Sequence, residues 1–524
     1  MADGKAVEAM PTQPADWPDT AWLKRILTAR VYDVAIESPL QPATKLSARL
    51  GVPVYFKRED LQPVHSFKLR GAYQRIAGLS AEERARGVLA VSAGNHAQGV
   101  ALAAQRLGID AVIVMPKTTP PIKIDAVRAY GASIELVGDS YDDAAQHGRA
   151  RAAADGRVMV HPYDDAEVIA GQATVGLELL RQLPPGPARV FVPVGGGGLC
   201  AGVAVLLSAL RPEIEVIAVE PVDAACLAAA LAAGQPVDLP QVGLFVDGCA
   251  VKRIGALNFA LLKPRLTAPV LTAGVDAVCA AIRDVFEATR SIVEPSGALA
   301  LAGLKAWVEQ HGADPAIPHV AILSGANLNF DRLRHVAERA EIGEATEALY
   351  GVSIPEARGS FLAFARALGR RAVTEFNYRY AGEAGQPAQI FVGIRLRQGE
   401  RERRDILQSL RAQGYDVDDL SDNELAGLHI RHLVGGRAPS LRERSFRFVF
   451  PERPGALEDF LIKIGDAYNI TLFHYRNHGA AYGRVFAALD VAVEQDADLD
   501  ARLAALGFEY AEESGNPAVR RFLG

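Results

Sequence analysis

The 524-residue chain is predicted to be an α/β protein with doubly wound parallel sheets, followed by two copies of a small α+β module. Three observations predict this. From Pro53 to about Asn329, short Val/Ile/Ala-rich runs alternate with longer helical stretches, as in parallel sheets buried on both faces. Some of those runs end in glycine or serine where the next helix begins, the edge at which open α/β sheets hold ligands. The last third of the chain repeats itself.

Taken in order, "GVLAVSA" reads as a strand, "NHAQGVALAAQRLG" as a helix ending at Gly108, "DAVIVMP" as a strand, "PIKIDAVRAYG" as a helix and "SIELVG" as a strand. Further on, "ARVFVPV" passes through "GGGGL" into the helix "CAGVAVLLSAL", then into the strand "EVIAVE"; "HVAILSGAN" is the last apolar strand. The polar, Pro-rich residues 1–20 are expected to be flexible. The α/β body spans 21–330, with a mobile small subdomain at roughly 84–160, and a charged helical connector covers 331–349. In the tail, "PEARGSFLAFARALG" from Pro355 resembles "PERPGALEDFLIKIG" from Pro451, and "VTEFNYRY" resembles "ITLFHYRN". "IFVGIRL" answers "VFAALDV", and "LRAQGYDV" answers "LAALGFEY". Four ordered matches at near-constant spacing mean duplication. The copies occupy 350–435 and 443–524, each read as helix, strand, strand, helix, strand.

Composition excludes several classes of function. The net charge of −6 is spread along the chain with no basic face, so nucleic acid is not an expected partner. Cys200, Cys226, Cys249 and Cys279 form no C-x-x-C pair, which argues against structural zinc and a disulfide framework and for a reducing cytoplasm. No secretory apolar core is present at the N-terminus, and the apolar runs are too short to span a bilayer, so a soluble protein is expected.

The chemistry begins at "VFVPVGGGGLCAG". Gly195, Gly196, Gly197 and Gly198 lie between a strand and a helix, where backbone N–H groups and a helix N-terminus favour an anion such as phosphate. Gly196, Gly198 and Ala201 also fit G-x-G-x-x-A, with Glu220 where a ribose-binding acid belongs, so a nicotinamide oxidoreductase remains open here. In "VSAGNHAQG", Ser92, Ala93, Gly94, Asn95 and His96 close a strand and open a helix, a place suited to a carboxylate; an ordinary N-cap at Asn95 fits as well. Lys68, between Phe67 and Leu69, has the apolar company that lowers an amine's pKa and that Schiff-base lysines require. Its competitors are Lys57, in the charged "KRED", and Lys123, on a helix read as exposed. A phosphate cradle, a carboxylate loop and a sheltered lysine together describe a pyridoxal 5'-phosphate site for an amino acid. In "ILSGANLN", Ser324 ends a strand where an aspartate would protonate the pyridine nitrogen; a serine there favours β-elimination over transamination.

These residues carry a resemblance. "REDLQPVHSFKLRGAY", "SAGNHAQG", "VPVGGGGL", "DLPQVGLFVDGCAVKRIG", "EPSGALALAG" and "ILSGANLNF" resemble the biosynthetic threonine deaminases (threonine ammonia-lyases), fold-type II pyridoxal enzymes. The tail, through "PERPGALEDFL" and "ITLFHYRNHGAAYGRV", is similar to their paired ACT-like regulatory modules. The resemblance implies that 21–330 is the catalytic domain and that Lys68 is the Schiff-base lysine and proton acceptor. It places Phe67 beside the ring, Asn95 on the ring hydroxyl, Gly195 to Leu199 on the phosphate and Ser324 at the ring nitrogen. It also implies L-threonine as substrate with L-serine as a side substrate, isoleucine as inhibitor, valine as activator or antagonist, and a homotetramer. Gly359, Phe376, Gly455 and Phe473 are the expected effector-site residues. No metal is expected: serine racemase-like members hold a divalent ion after the "VEP"-type strand, but Cys226 stands here where a second acid would be needed and Asp223 is out of register. The alternatives are serine dehydration or another fold-type II β-elimination or β-replacement, and a non-catalytic amino-acid sensor built on the paired modules.

Overall fold

The computed structural model describes residues 14–515, apart from 118, 139–140, 334–335, 338, 341–346, 380–386, 397–398, 424–441, 452–455, 465–467 and 477–481. Two compact units divide the chain, Met1–Gly343 and Glu344–Gly524.

The first unit holds β1 (Leu40–Pro42), β2 (Val54–Arg58), β3 (Val88–Val91), β4 (Ala111–Met115), β5 (Ser133–Leu136), β6 (Val158–Met159), β7 (Ala188–Pro193), β8 (Ile214–Pro221), β9 (Leu271–Ala273) and β10 (His319–Leu323). They form a six-stranded sheet in the order β1-β2-β10-β7-β8-β9 and a four-stranded sheet in the order β5-β4-β3-β6. All pairings are parallel except β1 with β2. β3, β4, β7 and β10 are buried along most of their length, which is why they read as continuous apolar runs rather than alternating ones.

The small sheet recruits a helix from outside the expected 84–160 limits. Ala72, Tyr73 and Ile76 of the helix Lys68–Ala77 join Val88, Ala90 and Ile113 in one core. That helix also crosses Ala166–Gln182 at backbone contact. A Cβ on Gly171 would come within 2.6 Å of the Arg70 carbonyl oxygen, and one on Gly71 within 2.7 Å of that of Val168. Lys68 therefore starts a helix clamped on two sides. The flexibility expected for 1–20 does not extend to its last residues: Trp17 packs on Trp22 with ring centroids 5.2 Å apart, and a helix runs over Asp19–Leu27. Residues 1–13 lie outside the described residues.

The second unit is one eight-stranded antiparallel sheet made from β11 (Glu347–Ile354), β12 (Val373–Arg379), β13 (Ala388–Arg395), β14 (Asp416–Asp419), β15 (Glu443–Pro451), β16 (Asn469–Arg476), β17 (Tyr482–Asp490) and β18 (Glu509–Glu512). Each copy starts with a strand that the sequence reading did not include, so its order is strand, helix, strand, strand, helix, strand. β11 corrects the helical connector at Glu347–Leu349. It is buried at six of eight positions and shows no clean alternation, whereas in β15 buried Phe446 and Phe448 alternate with Arg447 and could have been read.

The copies join through β12 and β16, where Phe376 faces Tyr475, Asn377 faces His474 and Tyr378 faces Phe473. Asn377 and His474 are equivalent positions of the repeat, so a pseudo-twofold passes between them. Phe376 and Phe473 are fully buried and meet edge to face at 5.6 Å. Their rings form the seam of the core instead of lining an open cleft. Gly359 is the left-handed residue before the helix Ser360–Ala367, with φ 83°. Gly455 lies outside the described residues.

Candidate active site

The C-terminal ends of β3, β7 and β10 are followed by the three small-residue stretches singled out in the sequence, and the segment after β2 supplies the lysine. Residues 64–67 are stitched to 324–327. The Phe67 N–H donates to the Ser324 carbonyl at 3.2 Å, the Ala326 N–H to that of His65 at 2.8 Å, and the Asn327 side-chain amide to that of Val64 at 2.8 Å. His65, at φ 53°, takes the left-handed conformation, which costs a non-glycine residue roughly 1–2 kcal/mol. The backbone bonds on either side hold it there, and the turn delivers Lys68 beside Ser324.

Lys68 is partly accessible, and its Nζ donates to the Pro162 carbonyl at 2.9 Å. Burial lowers its pKa to about 8, with weaker opposing pulls from Cys249 and Glu294. Its Nζ lies 5.3 Å from the centre of the Phe67 ring. An amine in this state has a substantial neutral fraction near physiological pH, as a nucleophile and proton acceptor require.

The competing lysines are otherwise engaged, for reasons the sequence did not show. Lys57 is fully buried: it donates to Glu178 at 2.6 Å, the Ser38 carbonyl at 2.6 Å and Gln182 at 2.9 Å. The same network holds Arg70, bound to Glu59 through two 2.8 Å bonds and to Glu178 at 2.7 Å. Lys123 pairs with Asp247 at 2.9 Å and is only partly exposed.

In the glycine loop the Gly195 and Gly196 carbonyls are engaged by neighbouring groups, and the Gly197 carbonyl takes the first bond of the helix. Gly195 O accepts from the Cys226 thiol at 3.3 Å, Gly196 O from the Gly255 N–H at 3.1 Å and the Asn258 amide at 2.7 Å, and Gly197 O from the Ala201 N–H at 2.8 Å. Gly197 has φ 95°, and a Cβ on Gly196 would overlap the Tyr163 ring. The first N–H groups of the apolar helix Gly198–Leu210, those of Gly198 and Leu199 among them, have no intrahelical acceptors. This donor set fits a phosphate. Glu220 is fully buried, and its carboxylate accepts from the Leu227 and Ala228 N–H groups at 2.7 and 2.9 Å. It caps a helix and is closed to a ribose, which removes the support for the dinucleotide reading. Among the described residues no group of three His, Cys, Asp or Glu could hold a metal ion.

Asn95 is not the N-cap. Gly94 occupies that position, with no side-chain cap, and Asn95 is the first helical residue. Its amide nitrogen donates to Glu294 at 2.6 Å, and its oxygen accepts from the Asn327 amide at 2.6 Å. Ser92, Ala93 and Gly94 are partly accessible, whereas the His96 ring is buried with Nε2 2.8 Å from the Val160 carbonyl oxygen. Burial, reinforced by Lys68, lowers the His96 pKa to about 3, so the ring is neutral. Only the backbone N–H of His96 remains for a carboxylate. Ser324 is buried and donates to the Ser296 carbonyl at 3.1 Å. Sequence reasoning missed Glu294 as a member of this cluster. It stands in the quoted "EPSGALALAG", but nothing local marks it as a partner of Asn95. Tyr163 and Asn258, against the glycine loop, were missed for the same reason.

Residues 31–325 match the family described as pyridoxal-phosphate dependent enzyme. Residues 338–430 and 434–523 match the C-terminal regulatory domain of threonine dehydratase. The chain is 54% identical over 506 residues to the biosynthetic L-threonine dehydratase of Burkholderia multivorans, covering 96% of this chain and 99% of that one. It is 52% identical over 526 residues to the corresponding protein of Escherichia coli K12, covering both in full. Among solved structures, the processed form of threonine deaminase isoform 2 from Solanum lycopersicum is 48% identical, with a TM-score of 0.61 over 62% of this chain and 88% of that one.

Proposed function

The chain belongs to the biosynthetic threonine dehydratases, pyridoxal-phosphate-dependent lyases with a C-terminal regulatory region, and from that premise we propose that Lys68 is its Schiff-base lysine and proton carrier in converting L-threonine to 2-oxobutanoate and ammonia. The observation that carries the assignment is the Lys68 amine itself: partly accessible, with its pKa lowered to about 8, beside the strand ends that bear the glycine loop and Ser324.

Pyridoxal phosphate, when bound, supplies the electron sink that makes the Cα proton of an amino acid removable. The chain supplies the rest. Gly195 to Leu199 offer backbone N–H groups and a helix N-terminus to its phosphate. Phe67 would lie alongside the ring, and Asn95 would offer an amide N–H to the ring hydroxyl. Ser324, whose hydroxyl donates to the Ser296 carbonyl, would be the group to meet the pyridine nitrogen and, being a hydroxyl, would leave it neutral. Ser92, Ala93, Gly94, Asn95 and the His96 N–H receive the substrate carboxylate. Lys68, with its pKa lowered to about 8, would be the base that takes the proton from Cα. The β-hydroxyl leaves as water, and a water consumed in the later hydrolysis releases ammonia, so the net change is threonine to 2-oxobutanoate plus ammonia. L-Serine, without the methyl group, gives pyruvate by the same steps.

The paired C-terminal modules are the seat of control by isoleucine, with valine opposing it. A ligand there changes activity only through different affinity for the active and inactive states. We place the enzyme at the committed step of isoleucine formation, as a cytoplasmic homotetramer. The test is turnover of threonine by the purified protein together with its visible absorption band. A chain shortened to end near Arg339 is expected to keep turnover and lose isoleucine inhibition. Residual inhibition with an unchanged midpoint would move the effector site into the first unit.

A further inference from the structure

We propose that Glu294 is a positioning residue which, with Asn327, fixes the amide of Asn95 so that its N–H, and not its carbonyl, is presented to the cofactor ring, and which sets the pH at which the lysine–cofactor linkage loses its proton. The inference rests on the reading of Lys68 and Asn95 given above.

The geometry is a closed triangle. Asn95 Nδ2 donates to Glu294 Oε1 at 2.6 Å, the Asn327 N–H donates to Glu294 Oε2 at 3.1 Å, and Asn327 Nδ2 donates to Asn95 Oδ1 at 2.6 Å. Asn327 Nδ2 spends its other proton on the Val64 carbonyl at 2.8 Å. If the Asn95 amide flipped, its NH2 would face the NH2 of Asn327 and its oxygen would face a carboxylate. Both contacts would be repulsive, so one orientation survives. Only one proton of Asn95 Nδ2 is used, and the second stays available. The arrangement works only with Glu294 as a carboxylate, because a carboxylic acid needs an acceptor and the triangle offers it donors.

Glu294 is 4% exposed. Burial raises its pKa to about 7, Asp247 adds to the rise, and Asn95, Lys123 and the Asn327 N–H oppose it. The other titratable groups around it are the Cys249 thiol, pushed up to about 12, and Lys68. Two glycines keep its surroundings close: a Cβ on Gly325 would lie 2.8 Å from Glu294 Oε1, and one on Gly248 3.6 Å away. A carboxylate held this near Lys68 favours the protonated form of whatever nitrogen Lys68 carries.

The experiment is a pH titration of the visible absorption band of the holoenzyme, with cofactor affinity measured separately on the cofactor-free protein by fluorescence. Glu294→Gln removes the charge and sets a Gln amide against the Asn327 N–H; its band midpoint is expected to fall by about one pH unit. Asn327→Ala keeps the charge and removes the lock, so it should weaken cofactor affinity severalfold with a smaller midpoint shift. Should Glu294→Gln fail to fold, Asn327→Ala decides alone. Wild-type affinity and midpoint in the folded variants overturn the inference. A wild-type protein without a visible band and without threonine turnover overturns instead the reading of the site on which it rests.

Discussion

Lys57 and Lys68 lie close together in the sequence, and burial lowers the pKa of both. Their surroundings otherwise have little in common. Lys57 is sealed from solvent and contacts Glu178, with Glu59 and Arg70 in the same fully buried network. Lys68 stays partly accessible and, among the described residues, contacts no carboxylate and gives one hydrogen bond, to a neutral carbonyl. Burial therefore does not by itself make a reactive amine. A carboxylate in contact holds the ammonium form and fills the lone-pair direction that a nucleophile needs, whereas a neutral acceptor leaves the amine free to shed its proton. One lysine ties elements together and the other is kept available.

The largest expected break in the comparison is Lys68→Ala. Threonine turnover should fall by about 10³-fold or more, along with the visible band, while circular dichroism stays as in the wild type. Near-normal turnover would move the chemistry to another lysine. Lys57→Met should do the converse. It leaves Glu178 short of one partner in a dry network, at a cost of about 3–5 kcal/mol, which a denaturation midpoint would reveal. The kcat of the folded fraction should stay near the wild-type value, and a loss of kcat without a loss of stability would refute the division of labour.

The smallest effect is a pH dependence. In the cofactor-free protein the folded-state pKa of Lys68, about 8, lies below the ordinary lysine value of 10.5. The unfolded chain binds the extra proton between those limits, so stability rises with pH across that window, and the cost of burying the amine is fully present below pH 8. Lys68→Met should accordingly be more stable than the wild type at pH 7, with the gap closing toward pH 10. A constant gap measured by thermal melts at both pH values would mean that Lys68 carries no desolvation cost.

The same contrast shows what could be read from residue order. Lys68 was singled out through its sequence neighbours Phe67 and Leu69; the Phe67 ring does lie near its amine, whereas Leu69 packs elsewhere, with Val31 and Val64. Lys57 was set aside for its charged neighbours in "KRED", but its actual partner could not be read there: Glu178 lies on the helix Ala166–Gln182, far along the chain. Glu294 was missed for the same reason, since it meets Asn95 and Asn327 only after folding. The first strand of each tail module escaped notice for a different reason, at least in β11, where burial on both faces erases the alternation that marks a strand.

By itself the sequence determined the parallel-sheet body, the duplicated tail, the glycine loop and a lysine set apart by apolar neighbours. Each is written in local periodicity, in backbone freedom or in near neighbours, which chain order preserves. Tertiary structure alone decided that Lys57 is paired, that Glu220 caps a helix, that Asn95 is held by Glu294 and Asn327, and that the two modules join through β12 and β16. Those outcomes depend on which charges and donors meet in a low-dielectric interior, and such meetings join residues that no local pattern connects.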